Sequence, residues 1–503
     1  MPKYKIFAAI EVGATRIAMQ IAEVSKSKII SVIDTVKYEL PIGRETYTIG
    51  KISYENVDKI CSCLEKFARI MKEYSVDDYS CYATTAIREA ANSEYIIEQI
   101  NIRTGLKVSI LSNEEERFLH NKAIALKTGY FDNIIKKSAV LVDVSTGSVQ
   151  ISYYRDGELK FSQNISMGSL RMLEELSELK REKMSFYDLI SKYIDLEIDR
   201  LKRYFSFENK YEYAVFFGNH IPNIRKLCKI KSDDALNYDS FNEAYRTLVN
   251  MSFEDISYKF DIPYDEVEQI LSTILIFRSF MNKRDLKIVI PEITLADGIC
   301  VEYVEKNGYT HTKHIFTNDI LSSAMYCAQK YNVDIKHIEK STEFSEKIFK
   351  ALSKRYNLSK HDFLLLRVAA IFIDTGKYIS LKGYRKYSAG IVKAAPLIGL
   401  SKNDMDIITG IVSESEVGAG TLTKRRRLLV SKLSSILQLS KALDIERNQS
   451  VGTITAALKN NELLITAETK QDLIFEKRRF EAEKKIFEDV FGITAELKIV
   501  RRR

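Results

Sequence analysis

The 503-residue sequence predicts a duplicated α/β fold followed by a mostly helical region. Two segments about 130 residues apart share one pattern, an apolar run, one acid, a turn of small residues and an alternating strand. The first reads KIFAAIEVGATRIAMQIAEV and contains Glu11, and the second reads SAVLVDVSTGSVQISYY and contains Asp143. Around them strands alternate with helical periodicity, which is typical of a mixed sheet in each half.

Changes in this pattern predict four regions. Residues 1–125 and 126–308 read as two α/β subdomains, and the polar stretch EYVEKNGYTHTKH at 302–314 separates them from the rest. Residues 309–450 are nearly all helical, and residues 451–503 read as a small α+β end with a hairpin, a helix and a last strand. The length itself favours two to four domains.

Composition places the chain among ordinary globular proteins, with 45% hydrophobic and 29% charged residues. No apolar run reaches the length of a membrane span, and the N-terminus lacks a signal-peptide pattern. We therefore expect a cytoplasmic protein without a membrane partner. The six scattered cysteines predict neither a disulfide framework nor a metal site.

The net charge is moderate, +8 with a pI near 8.8, and does not indicate specific nucleic-acid binding. It does suit a polyanionic substrate, because a basic cleft raises the local concentration of anions. The densest basic runs are TKRRRLLVSK at 423–432, EKRRFEAEKK at 476–485 and the terminal VRRR. Each run taken alone is more simply explained as a solvated surface.

The two small-residue turns have two interpretations. Small residues are needed in a tight hairpin turn, and they also let phosphate oxygens approach backbone N–H groups. One such turn would indicate only a hairpin. Because the pattern occurs twice, we favour two phosphate loops, one from each half, that face a common cleft.

Two further motifs carry chemistry. In ATTAIREAANS, Arg88 begins a helix directly after a strand, where a guanidinium suits bidentate phosphate binding. The alternative is that Arg88 pairs with a surface carboxylate. In LSNEEERF, three acids follow a strand, and such acids often only complement the helix dipole. One that points into a cleft could take a proton from water attacking phosphorus.

These motifs occur in a fixed order across residues 8–172, together with TGLKVSILSNEEERF, VLVDVSTGS and ISMGSLRM. PEITLADGI at 291–299, FIDTGKYISLKGYRKYS at 372–388 and LSKALDIERNQ at 439–449 continue the series. With them the chain resembles the exopolyphosphatase and guanosine pentaphosphate phosphohydrolase family, Ppx/GppA, of the ASKHA superfamily. The resemblance implies a duplicated actin-like (ribonuclease H-like) two-domain fold of the ATPase type, followed by an HD-like helical domain.

The resemblance implies a hydrolase that removes terminal phosphate from polyphosphate or (p)ppGpp, and it allows a homodimer. Aligning the apolar residues that follow the acids makes Glu116 the general base, with Glu115 as the second choice. Asp143 and Glu11 are implied as ligands of Mg²⁺, which favours a few carboxylates together with substrate phosphate oxygens.

The phosphate-binding residues implied by the resemblance come from three motifs. Gly13 and Thr15 lie in the first loop, and Gly147 and Ser148 lie in the second. Arg88 completes the set. Together they would surround the terminal phosphate with backbone N–H, hydroxyl and guanidinium donors.

Several residues depart from the family pattern. Glu11 replaces an aspartate, Ser145 and Thr146 replace glycines, and Gln150 replaces a glutamate. A second hypothesis is therefore a catalytically weakened regulatory protein that binds polyphosphate or (p)ppGpp. A sugar or acetate kinase of the same superfamily is disfavoured, because no adenosine-binding motif is recognisable.

The helical region departs further. HD-type domains hold metals with histidines and a His-Asp pair, whereas this chain has Ile373-Asp374 at that pair. Tyr384 and Tyr387 stand where histidines are expected downstream, and STEFS replaces the upstream pair. We therefore predict an HD-like fold whose metal centre is lost, with Asp374 as a structural carboxylate.

Overall fold

The computed structural model describes residues 4–25, 30–177, 186–205, 211–230, 236, 238–281, 284–308, 313–413 and 422–501. The chain forms two compact units, Met1–Asp319 and Ile320–Arg503. The boundary therefore follows Asp319, whereas the sequence pattern placed it after residue 308. Residues 451–503 belong to the second unit.

The first unit contains two five-stranded sheets. The strands of the first sheet are β1 (Tyr4–Val12), β2 (Arg16–Ser25), β3 (Ser31–Glu39), β4 (Asp78–Ala83) and β5 (Val108–Ile110). The strands of the second sheet are β6 (Ser138–Val144), β7 (Val149–Arg155), β8 (Glu158–Ile165), β9 (Tyr213–Gly218) and β10 (Lys287–Val289).

Helices connect and cover these sheets. In the first part of the unit they are α1 (Ile42–Ile49), α2 (Tyr54–Glu73), α3 (Thr85–Glu89), α4 (Ser93–Thr104), α5 (Asn113–Thr128) and α6 (Phe131–Lys137). In the second part they are α7 (Ser169–Glu175), α8 (Phe186–Phe205), α9 (Ile221–Leu227), α10 (Tyr238–Asn250), α11 (Phe253–Phe260), α12 (Tyr264–Ser279) and α13 (Leu295–Lys306).

The two sheets have the same topology. The strand order is β3-β2-β1-β4-β5 in the first and β8-β7-β6-β9-β10 in the second. In each, three consecutive antiparallel strands are followed by two strands that run parallel to the first. Glu11 and Asp143 occupy equivalent places, one residue before the end of β1 and of β6. The predicted duplicated α/β fold is confirmed.

The last helix of the unit returns to the first sheet. Buried residues of α13, including Ile299 and Val304, pack in one apolar cluster with Phe7 and Ala9 of β1 and Leu119 of α5. The subdomain predicted as residues 126–308 is therefore not one contiguous lobe. Nothing in the local pattern of α13 shows this, because an apolar helix face does not specify which sheet covers it.

The second unit is helical with one small sheet. Helix α14 (Phe316–Gln329) spans the boundary, and α15 (Ile335–Tyr356), α16 (Lys360–Phe372), α17 (Tyr384–Ala394), α18 (Lys402–Ser413) and α19 (Lys424–Ala442) follow, with a 3₁₀ turn at Thr375–Tyr378. The sheet has the order β11-β12-β13. Its elements are β11 (Val451–Lys459), β12 (Glu462–Thr469), α20 (Ile474–Phe491) and β13 (Thr494–Arg501).

Within the described ranges, the structure contains no helix both long enough and apolar enough to cross a membrane.

Candidate active site

A cavity of about 40 Å³ lies in the first unit where the two halves meet. The first hairpin turn contributes Ala14 and Arg16, and the second contributes Ser145 and Thr146. The predicted residues Glu11 and Glu116 line the same cavity. The expectation that a loop from each half faces one cleft is met by this geometry.

The two turns are closed by equivalent hydrogen bonds. The N–H of Gly13 donates to the carbonyl oxygen of Arg16 over 2.9 Å, and the N–H of Ser145 donates to that of Ser148 over 3.0 Å. Gly13 therefore corresponds to Ser145, and Thr15 to Gly147. This is the register that sets Glu11 against Asp143, so the glycines of the two turns, Gly13 and Gly147, lie at different places within them.

Gly147 lies in a place where a larger residue does not fit. A Cβ atom on it would lie 2.3 Å from the Tyr47 hydroxyl and 2.7 Å from Cγ2 of Thr85. The second turn therefore packs directly against residues of the first half. Ser148 is 2% exposed, and its Oγ has no hydrogen-bond partner among the described residues. Gly13 and Thr15 do not line the cavity but lie in the turn that shapes it.

Helix α5 separates the roles of its first acids. Ser112 caps the helix, and Ser112 and Glu115 each accept a hydrogen bond from the other's backbone N–H in a capping box. The side chain of Glu115 is thus hydrogen-bonded at the N-terminus of α5. Glu116, one residue later, is 5% exposed and lies in the cavity. Of the two acids, Glu116 is the one that lies in the cavity, and its role as the base stays a prediction.

Arg88 lies beside Glu116. Its Nη1 is 3.2 Å from Oε2 of Glu116, and its guanidinium also donates to the Leu111 carbonyl oxygen, Thr85 Oγ1 and Asn113 Oδ1. These bonds fix the planar group at the start of α5. Arg88 therefore pairs with a cleft carboxylate, and the alternative of a surface partner does not apply.

His120 is a site residue that the sequence analysis missed. Its Nδ1 lies 2.6 Å from Oδ2 of Asp143, which is 1% exposed. Burial alone would lower the pKa of His120, but the charge and hydrogen bond of Asp143 outweigh it and raise the pKa to about 9. A signal was present, because His120 follows Glu116 by four residues and so shares its helix face.

Glu11 is the other predicted metal ligand. Burial raises its pKa, which the positive charges of Arg16 and His120 oppose and the nearby carboxylates Glu116 and Asp143 reinforce. The carboxylates of Glu116 and Asp143 are therefore both close enough to Glu11 to affect its protonation.

The side chains present do not fit the Mg²⁺ ion that the resemblance implies. Oδ2 of Asp143 faces His120, and Oδ1 lies 3.3 Å from the hydroxyl of Ser145. In the part of the chain that the structure describes, no three His, Cys, Asp or Glu side chains form a group able to hold a metal ion. Mg²⁺ is thus implied by the resemblance and not by the side chains of this cleft.

The second unit contains a separate buried charge cluster. Asp374, 8% exposed, pairs with Lys441 at 2.8 Å, with Lys377 at 3.0 Å and with Arg447. Burial would raise the pKa of Asp374, but Lys441 and Lys377 hold it well below its usual range. The structural role predicted for Asp374 agrees with these contacts.

One histidine outside the expected ligand positions reaches this cluster. Nε2 of His337 lies 4.0 Å from Oδ2 of Asp374, and its Nδ1 lies 2.8 Å from Oδ2 of Asp444. His337 lies one helical turn before the STEFS segment, so a comparison of motif positions did not find it. Cations of the chain, rather than a set of histidines, surround Asp374.

Comparisons with known proteins follow the same division of the chain. A model described as the Ppx/GppA phosphatase family matches residues 20–307, and one described as Ppx/GppA phosphatase, domain III, matches residues 321–488. The second match supports a family-specific helical domain. It does not test whether that domain is HD-like.

Curated relatives are distant. An exopolyphosphatase 1 from Mycobacterium bovis is 24% identical over 33% of this chain and 47% of its own length. A bifunctional 3-dehydroquinate synthase/phosphatase from Fusobacterium nucleatum is 25% identical over 34% of this chain and 27% of its own. The chain thus spans half or less of these relatives. A guanosine-5'-triphosphate,3'-diphosphate pyrophosphatase from Pseudoalteromonas translucida is 20% identical over 90% of this chain and 89% of its own.

Solved structures confirm the fold of the first unit. An exopolyphosphatase from Cytophaga hutchinsonii has a TM-score of 0.52 at 16% identity, covering 61% of this chain and 100% of that chain. The Ppx/GppA family member from Aquifex aeolicus has a TM-score of 0.50 at 18% identity, with 61% and 100% covered. The duplicated sheets thus form the predicted actin-like fold. Together with the match over residues 20–307, this shows that the chain belongs to the Ppx/GppA phosphatase family.

Proposed function

We propose that this protein is a phosphohydrolase that removes terminal orthophosphate from inorganic polyphosphate. Guanosine pentaphosphate is the second substrate candidate within the same chemistry. The observation that carries the proposal is the buried Glu116 carboxylate, which lines a cavity between two duplicated small-residue turns and is held by Arg88. Relatives named exopolyphosphatase and guanosine-5'-triphosphate,3'-diphosphate pyrophosphatase support this substrate class.

In the proposed reaction, Glu116 takes a proton from water as the water oxygen attacks the terminal phosphorus. The bond from that phosphorus to the bridging oxygen breaks, and the shortened chain leaves with the electron pair. Arg88 stabilises the negative charge on the transferred phosphoryl oxygens, since phosphoryl transfer depends mainly on positioning and charge neutralisation. Arg16, which lines the same cavity, is placed to add a second positive charge.

The competing hypothesis is a regulatory protein that binds polyphosphate or (p)ppGpp without turnover. Gln150 and the crowded second turn support it, whereas Glu116 in the cleft favours hydrolysis. Cytoplasmic location and homodimer formation stay predictions. The assay that separates the hypotheses is orthophosphate release from purified protein with long-chain polyphosphate and, separately, guanosine pentaphosphate. Release from either supports hydrolysis, and substrate binding without release supports the regulatory protein.

A further inference from the structure

The carboxylate of Asp143 is already bound by protein atoms. This residue lies one position before the end of β6, the central strand of the second sheet, where the resemblance implies a metal ligand. Its Oδ2 accepts a hydrogen bond from Nδ1 of His120 over 2.6 Å, and its Oδ1 lies 3.3 Å from the hydroxyl of Ser145. Since Asp143 is 1% exposed, a hydrated cation could reach these oxygens only after His120 had moved away.

His120 is itself held in place. It is 9% exposed and packs edge-on against the ring of Phe217, with ring centroids 5.9 Å apart. Its backbone lies in the middle of α5, four residues after Glu116, so the helix and Phe217 together fix the imidazole over Asp143. The contact with Asp143 is therefore part of a packed core rather than of a mobile surface.

The residue opposite Asp143 also differs from the family pattern. Gln150 pairs directly with Asp143 across the β6–β7 ladder, so the two side chains share a face of the sheet. Gln150 is 1% exposed, and neither its Nε2 nor its Oε1 has a hydrogen-bond partner among the described residues. A neutral amide thus stands beside Asp143 where the resemblance implies a glutamate.

The cleft instead carries three basic side chains of its own. Arg16 and His120 line the cavity together with Glu11 and Glu116. Arg88 lies 3.2 Å from Glu116, and His120 lies 2.6 Å from Asp143. An incoming phosphate would share the guanidinium groups of Arg16 and Arg88 with Glu11 and Glu116, and these groups supply positive charge without an added cation.

We propose that His120 is a positioning residue that keeps divalent metal off Asp143, so that the cleft of this chain relies on Arg16 and Arg88 in place of Mg²⁺. His120 acts by occupying the carboxylate of Asp143. Gln150 stands in place of an acid that could otherwise help to bind the ion. The kinetic part of this inference rests on the proposed function, whereas the metal-binding part does not depend on it.

The test uses the full-length protein and Mn²⁺ as a paramagnetic probe for a magnesium-type site. Free Mn²⁺ is followed by electron paramagnetic resonance during titration of the wild-type protein, of Gln150→Glu and of His120→Ala combined with Gln150→Glu. We expect the wild-type protein and Gln150→Glu to bind no Mn²⁺, so that the signal of free Mn²⁺ equals that in buffer alone, because His120 still covers Asp143 in both. The double variant should bind one Mn²⁺ per chain and so lower the signal of free Mn²⁺. Adding Asp143→Asn to the double variant should abolish that binding. Circular dichroism verifies that each variant is folded.

Each result decides the proposal. One Mn²⁺ bound per wild-type chain and lost in Asp143→Asn would overturn it. Binding by Gln150→Glu alone, or no binding by a folded double variant, would show that His120 is not what excludes the ion. If the wild type releases orthophosphate, EDTA should leave its rate unchanged, and complete loss of that rate would also overturn the inference. A wild type that releases no orthophosphate contradicts the proposed function but leaves the Mn²⁺ comparison decisive.

Discussion

The guanidinium of Arg88 lies 3.2 Å from the carboxylate of Glu116 and connects helix α3 to the start of helix α5. Both side chains are largely buried, so their interaction is stronger than that of a surface ion pair. A phosphate group bound in the cleft would compete with Glu116 for Arg88. Substrate binding would thereby loosen the hold of Arg88 on the carboxylate that has to accept a proton.

The neighbouring acids Glu115 and Glu116 should respond differently to substitution. Glu115→Ala removes the side chain that accepts from the Ser112 N–H, and we expect a loss of about 1 kcal/mol in the free energy of unfolding. Glu115→Gln can keep the capping box, so its stability and hydrolysis rate should be close to wild type. Chemical denaturation and orthophosphate release measure the two quantities. A rate loss in Glu115→Gln as large as that in Glu116→Gln would reject this separation of roles.

His314 should make the stability of the first unit depend on pH. Its Nδ1 lies 2.9 Å from Asp132 and its Nε2 lies 3.0 Å from Asp319. Burial would lower the pKa of His314, but these two carboxylates raise it above the ordinary value. A raised folded-state pKa means that the stabilisation is fully present below the unfolded pKa of about 6.5 and is lost as pH rises through the folded value.

The comparison uses His314→Gln and the free energy of unfolding at about pH 6 and about pH 9. We expect the difference between wild type and variant to be larger at the lower pH. Asp132→Asn leaves one carboxylate beside the imidazole and should reduce the pH dependence without removing it. An equal difference at both pH values would show that the charge of His314 does not stabilise the fold.

Lys441 should stabilise the second unit through Asp374. Lys441→Met leaves a buried carboxylate with one neutralising contact fewer, and we expect a loss of about 3 kcal/mol in the free energy of unfolding. Combining it with Asp374→Leu should recover part of the loss, because no buried carboxylate remains. Thermal and chemical denaturation of both variants test this. If the double variant is less stable than Lys441→Met, the pair interaction is not the source of the effect.

The basic start of α19 is a candidate contact for a long anion. Lys424, Arg425 and Arg427 are exposed, and Arg426 donates to Asn403. Changing residues 424–427 together to Ser should weaken binding of long polyphosphate and reduce its salt dependence, while a short oligophosphate should bind nearly as before. Affinities measured at low and moderate salt test this. Unchanged affinity for long chains would leave the segment as solvated surface.

Much of the fold could be predicted because the signal is local and repeated. The two hairpins with Glu11 and Asp143 predict the duplicated sheets, and the apolar residues that follow the three acids favour Glu116 as the cleft acid. His120 was not predicted, because its partner Asp143 lies on another element and only the packed fold brings them together. The partners of Asp374 and the return of α13 to the first sheet depend on tertiary contacts in the same way.

The hydrolysis assay of Glu116→Gln tests the central claim most directly. Wild-type protein should release orthophosphate from long-chain polyphosphate, and Glu116→Gln should release it about 10²–10⁴-fold more slowly while binding the substrate with similar affinity. That result would assign the proton transfer to Glu116 in the cleft. An unimpaired Glu116→Gln enzyme, or a wild-type protein that binds polyphosphate but releases no orthophosphate, would contradict the account.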